Sequence, residues 1–106
     1  MILIENYLNR IEITGHAGAA PHGMSVPCEA VTVLANNVVA SIIELTNDQP
    51  DYVLESGNFR LMKKDLSAES GLLVRSFLVG LQMVAEAYPE YISYSDISDH
   101  DQAFMS

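Results

Sequence analysis

Apolar residues cluster in short runs at the start of the chain and then change spacing. Ile2-Leu3-Ile4 and Ile11-Glu12-Ile13-Thr14 read as two strands joined by the polar stretch from Glu5 to Arg10. Beyond Cys28 the apolar residues Val31, Leu34, Val38, Ile42 and Leu45 recur at steps of three or four, the stripe of an amphipathic helix. Ser25 suits its N-cap, and Pro27 fits a first turn, where a missing N–H costs nothing. Asn47-Asp48-Gln49-Pro50 breaks the pattern. Tyr52-Val53-Leu54 and Phe59-Arg60-Leu61-Met62 then flank Ser56-Gly57-Asn58 as a hairpin. A second helix opens at Ser67-Ala68-Glu69, buries Leu73, Phe77, Leu81 and Val84 with Leu78 and Ala85 beside them, and stops before Pro89. Residues Tyr91 to Tyr94 offer one further strand.

These elements predict an α/β (α+β) two-layer sandwich: a small mixed or antiparallel sheet of about four strands with two long helices on one face. Gly80, in the middle of the second helix, marks close packing onto the sheet or across a dimer interface. The expected organisation is a single domain over residues 1–94, followed by a flexible acidic tail over 95–106 that contains Asp96, Asp99 and Asp101. Phe104 and Met105 are the tail's only candidates for docking on a partner.

With 106 residues and 49% hydrophobic composition, the chain supports one core. Five Lys and Arg against fourteen Asp and Glu leave a formal charge of −9, which argues against a nucleic-acid partner because phosphate contacts need clustered cations. A basic peptide suits such a surface better. Glu5 and Asn6 interrupt the first apolar run, so a signal peptide is not expected, and no uninterrupted apolar run approaches the ~18 residues of a membrane span. One cysteine forms no intrachain disulfide, so the expectation is a cytoplasmic protein with no membrane partner.

Candidate chemistry concentrates between Gly15 and Cys28, a segment with two of the three histidines and the sole cysteine. Ionisation controls thiol reactivity, and an isolated thiol with pKa ~8.5 is mostly protonated at neutral pH. A cysteine in a helix's first turn lies near unpaired backbone donors and the positive end of the helix dipole. His16, on a loop with Gly15, Gly18 and Gly23, can accept the thiol proton, and the resulting imidazolium stabilises the thiolate. Backbone N–H groups of Cys28 or of this loop can form an oxyanion hole. A free cysteine is also a common core residue, and spacing alone leaves both readings open. Metal binding by His16, His22 and Cys28 is disfavoured, since the spacing fits no structural zinc pattern and a fourth ligand is missing, so neither metal nor cofactor is expected. His22 reads as a solvated loop residue and His100 as an exposed residue of the tail. Gly15 and Gly18 lack the third glycine and the lysine of nucleotide-binding loops.

The segment resembles the ribosomal-processing cysteine protease family Prp, whose signature is a Gly-His-Ala loop, then a glycine, then a cysteine opening a helix of small and apolar residues. Gly15, His16, Ala17, Gly23, Cys28, Ala30, Val31 and Leu34 carry the match, and the second helix and Tyr88-Pro89-Glu90-Tyr91-Ile92 extend it. The resemblance implies a small homodimeric cysteine endopeptidase in which His16 and Cys28 are the catalytic pair. Its implied substrate is the N-terminal extension of a ribosomal large-subunit protein. The chain departs from the family at Ser25-Val26-Pro27, where Asp-Ile-Val is usual, and at Thr32, where a serine is frequent. Without that Asp the pair acts as a dyad or is oriented by Ser25. The departures suggest a divergent member, of phage or prophage origin, for which a capsid-assembly protein is the other candidate substrate. The alternative is a catalytically silenced peptide-binding module on the same fold.

Overall fold

The computed structural model describes residues 1–15 and 25–98. The elements in chain order are β1 (Ile2–Tyr7), β2 (Arg10–Thr14), α1 (Ser25–Leu45), β3 (Tyr52–Glu55), β4 (Asn58–Met62), α2 (Ala68–Ala87) and β5 (Ile92–Ile97). The sheet has five strands rather than about four, in the order β3-β4-β2-β1-β5. It is mixed: β5 runs parallel to β1, and every other neighbouring pair is antiparallel.

Alternation along the strands decides which face the helices cover. Ile2 and Ile4 of β1, Ile11 and Ile13 of β2, Phe59 and Leu61 of β4 and Ile92 of β5 are all buried, and the residues between them form the open face. The polar stretch expected as a loop from Glu5 to Arg10 is largely strand, because Asn6 continues the buried register of β1. The residue is 5% exposed and its amide is bonded at both its nitrogen and its oxygen, donating to Asp96 Oδ1 at 3.2 Å and accepting from Lys63 Nζ at 2.6 Å. An unpaired amide at that depth would cost about 1–3 kcal/mol, so these partners make the burial tolerable.

Helix α1 contributes Val31, Ala35, Val38, Val39 and Ile42 to the core, and α2 contributes Val74, Phe77, Leu81 and Ala85. Phe59 and Phe77 meet edge to face, with ring centroids 5.6 Å apart, locking α2 onto β4. Two expected stripes are corrected. Leu45, the last residue of α1, is 69% exposed. The buried line of α2 runs through Ser70, Val74, Phe77, Leu81 and Ala85, while Leu73, Leu78 and Val84 are only half-buried.

The helices are antiparallel. Thr46, just past α1, lies 3.2 Å from the Ser70 hydroxyl near the start of α2, and farther along Leu34 packs on Gly80. A Cβ at Gly80 would lie 3.0 Å from Leu34 Cδ2, so within the chain this glycine admits the neighbouring helix. The start of α2 is tied down by Ser67, whose hydroxyl accepts from the Ser70 N–H at 3.2 Å as an N-cap, and by Asp48, which accepts from the Ser67 N–H at 2.8 Å and from the Ser67 and Ser70 hydroxyls.

By length and mean hydropathy alone, Val26–Leu45 (1.6) and Ala68–Ala87 (1.2) would qualify as membrane spans, contrary to the reading from uninterrupted runs. Each instead lays one face on the same core. Strand β5 carries Ser95, Asp96 and Ile97 into the sheet, past the domain edge expected after Tyr94. The rest of the expected tail, from residue 99, lies outside the described residues.

Candidate active site

The antiparallel helices and the sheet register collect several chain ends at one end of the molecule. Strand β1 starts there, with the Ile2 N–H donating to the Tyr91 carbonyl at 2.9 Å. Strand β2 ends there at Gly15, whose N–H donates to the Gly57 carbonyl at 3.1 Å in the β3–β4 turn. Because α1 reaches Thr46 at the opposite end, its first turn, with Cys28, stands at this same end.

Cys28 is the fourth residue of α1, half-buried, unoxidised and packed against the core cluster. Its depth follows from the sequence around it: Pro27 is buried, Val31 continues the buried line one turn later, and Val26 and Glu29 face outward. The thiol therefore sits on the border between core and surface, within reach of a substrate yet backed by apolar side chains. Its own carbonyl accepts from the Thr32 hydroxyl at 2.8 Å, so the residue standing where the family frequently has serine keeps a hydroxyl bond to the cysteine's backbone. Pro27 offers no N–H, which leaves the amides of Ser25 and Val26 as first-turn donors without an acceptor inside the helix. Helix α1 opens at Ser25 itself, the residue expected as its N-cap.

Gly15 has φ +87°, and a Cβ there would stand 2.3 Å from the Met1 carbonyl oxygen. Only glycine fits, on two independent grounds: the backbone conformation and the contact. This residue ends β2 and starts the segment leading to α1, so the point where that segment leaves the sheet is held by Met1 on one side and Gly57 on the other. Gly57 itself has φ +74° in the two-residue Ser56-Gly57 turn. Sequence reading found that turn but missed its bond to Gly15. The only signal was its glycine, since nothing local links residues 15 and 57.

His16, His22, Gly18 and Gly23 lie outside the described residues, as does His100. The structure thus brings Gly15 and Cys28 to one end of the molecule, at either end of the segment that holds His16. Among the described residues no group of His, Cys, Asp and Glu is arranged to hold a metal ion. The other polar clusters, Asp48 with Ser67 and Ser70, and Lys63 with Asn6 and Asp96, stand at the opposite end and tie elements together.

A half-buried cysteine in the first turn of a helix, on a two-layer sandwich and preceded by a glycine-anchored segment with a histidine, is the arrangement of a cysteine peptidase. The family profile described as cysteine protease Prp matches residues 2–93, and the chain belongs to this family of cysteine proteases. Among solved structures it is similar to the essential ribosomal processing protease Prp from S. aureus in complex with a substrate peptide, with 25% identity and a TM-score of 0.83 over 91% of this chain and 99% of that one. The same S. aureus protease with a covalently linked product peptide matches at 25% identity and TM-score 0.79, again over 91% and 99% of the two chains. The SMU.848 protein from Streptococcus mutans shares the fold, at 23% identity and TM-score 0.74 over 92% of each chain. No curated protein matches the sequence significantly.

Proposed function

We infer that this cysteine protease is an endopeptidase that removes an N-terminal extension from a ribosomal large-subunit protein or, in a phage-encoded setting, from a capsid-assembly protein. The placement of Cys28 carries the reading: a half-buried thiol in the first turn of α1, at the end of the sheet where Gly15 begins the segment containing His16. Similarity to the S. aureus ribosomal processing protease, seen with a substrate peptide and with a covalently linked product peptide, supports the substrate class.

His16 takes the proton from the Cys28 thiol, and the thiolate attacks the scissile carbonyl carbon. The tetrahedral oxyanion is met by backbone N–H groups of α1's first turn, a stabilisation commonly worth about 3 kcal/mol per donor. Collapse expels the amine, which takes its proton from the His16 imidazolium, and leaves a thioester on Cys28. Water, deprotonated by His16, hydrolyses the thioester and restores the thiol. Gly15, Gly18, Gly23 and Ser25 serve to place the histidine.

The working unit is a cytoplasmic homodimer. Val26 and Val33 on α1 and Leu72, Val79 and Met83 on α2 are all more than half exposed, apolar surface that a second copy would cover.

The test incubates wild-type and Cys28→Ala protein with N-terminal peptides of ribosomal and capsid-assembly proteins and reads intact mass. A product formed only by the wild type confirms the endopeptidase and gives its cleavage site. Binding by Cys28→Ala with no product from the wild type would instead establish a silenced peptide-binding module.

A further inference from the structure

Strand β3 is an edge of the sheet, and among the described residues nothing pairs with its outer side. The Met62 N–H donates to the Asp51 carbonyl at 2.9 Å, so in this antiparallel ladder the bonded pairs are 51 with 62, 53 with 60 and 55 with 58. The N–H and C=O groups of Tyr52 and Leu54 therefore point away from β4, toward the open edge. Their side chains share the helix-bearing face with Phe59 and Leu61, yet are 41% and 37% exposed. Beside them lies an open cleft of about 410 Å³, lined by Ile43, Thr46, Pro50 and Tyr52 among others. The opposite edge, β5, has Ile92, Tyr94 and Asp96 on that same face, with Ile92 buried in the core and Tyr94 half-buried against it.

We propose that the outer edge of β3, with the cleft at its foot, is a second binding site that takes an extended basic segment of the protein substrate as an added strand. Charge selects this occupant: residues 43–55 carry Glu44, Asp48, Asp51 and Glu55 with neither Lys nor Arg, and the whole chain carries −9. The same charge opposes a second copy of this chain as the occupant. Main-chain bonds from Tyr52 and Leu54 give affinity, and alternate side chains of the segment reach the cleft. Its β3 end at Ser56-Gly57 touches Gly15, so the added strand leads toward the Cys28 end. Ile43 stands fifteen residues along α1 from Cys28, about 22 Å at 1.5 Å per residue, which an extended segment of roughly seven residues covers. The proposal rests on the reading of this chain as an endopeptidase acting through Cys28.

The test uses hydrogen exchange on Cys28→Ala protein with two short probe peptides, one alternating valine and lysine and one alternating valine and glutamate. The basic probe slows exchange at Tyr52 and Leu54 about tenfold or more at low salt, an effect weakened by added salt, and the acidic probe leaves them unchanged. Leu54→Pro removes an outward N–H while leaving the ladder to β4 intact. On any peptide the wild type cleaves, it raises KM about tenfold with kcat within about twofold. Should Leu54→Pro lose its fold, the exchange measurement decides alone. Unchanged Tyr52 and Leu54 exchange with the basic probe overturns the site even if Cys28-dependent cleavage is normal. Protection without any cleavage overturns the endopeptidase reading and keeps the site. Protection that grows with protein concentration in the absence of peptide makes the occupant a second copy and overturns the proposal.

Discussion

Replacing Gly15 by alanine places a side chain where the backbone has φ +87° and where the new Cβ would meet the Met1 carbonyl oxygen at 2.3 Å. Holding a non-glycine residue at positive φ costs about 1–3 kcal/mol. Relieving the clash needs a backbone shift, because the obstacle is a carbonyl and not the end of a flexible side chain, and overpacking of this kind costs a further ~1–3 kcal/mol. The shift would disturb the start of β1 and its bond from the Ile2 N–H to Tyr91. A combined loss of about 2–6 kcal/mol is a large share of the roughly 5–15 kcal/mol that stabilises a typical domain. It lowers Tm by roughly 10–27 °C for a chain of this length. Urea denaturation followed by circular dichroism reads the loss, with two other glycines as internal standards. At Gly71 in α2 an added Cβ meets nothing within 4 Å, so Gly71→Ala stabilises by up to about 1 kcal/mol. At Gly80 the same helical gain is offset by displacement of a Leu34 methyl group, leaving the variant within about 1 kcal/mol of wild type. A Gly15→Ala protein within about 0.5 kcal/mol of wild type would refute the reasoning.

Hydrogen bonds from the Ser70 hydroxyl, the Ser67 N–H and the Ser67 hydroxyl hold the Asp48 carboxyl below its ordinary pKa. A depressed carboxylate stabilises the fold above its unfolded value near ~3.9, and that contribution vanishes as pH falls through the folded value. Asp48→Asn therefore flattens the acid limb of a stability-against-pH curve, and an unchanged limb would show that the carboxylate does not clamp α2. Burial pushes the Lys63 ammonium below its ordinary pKa, with the Asp96 charge pulling the other way. Lys63→Met removes the donor to the buried Asn6 carbonyl and should cost about 1–3 kcal/mol in denaturant midpoint, a loss that Lys63→Arg partly avoids. Leu81→Ala, at a fully buried position between α2 and the sheet, should cost about 2–5 kcal/mol by the same measurement without altering the rate of Cys28 alkylation.

Local spacing in the sequence was enough to identify both helices, four strands and the start of α2 at Ser67, because each of these depends on which side of one segment is apolar and on turn and cap residues within it. Of the candidate site, Gly15 and Cys28 were legible for a similar reason: residue type singles them out, and both stand at one end of the molecule, while His16 lies outside the described residues. Tertiary structure alone decided what came from distant segments. The parallel pairing of β5 with β1 depends on α2 returning the chain to the end where β1 begins. Asn6 is buried because Lys63 and Asp96, far away in sequence, satisfy its amide. Gly80 is small for Leu34, and Leu45, at the last position of α1, is exposed although it belongs to the apolar stripe. Even at the legible site, the clamp of Gly15 between Met1 and Gly57 appears only once β1, β2 and the β3–β4 turn meet. Periodicity states which face of an element is buried, but which neighbour buries it depends on chain reversals and packing that no single segment contains.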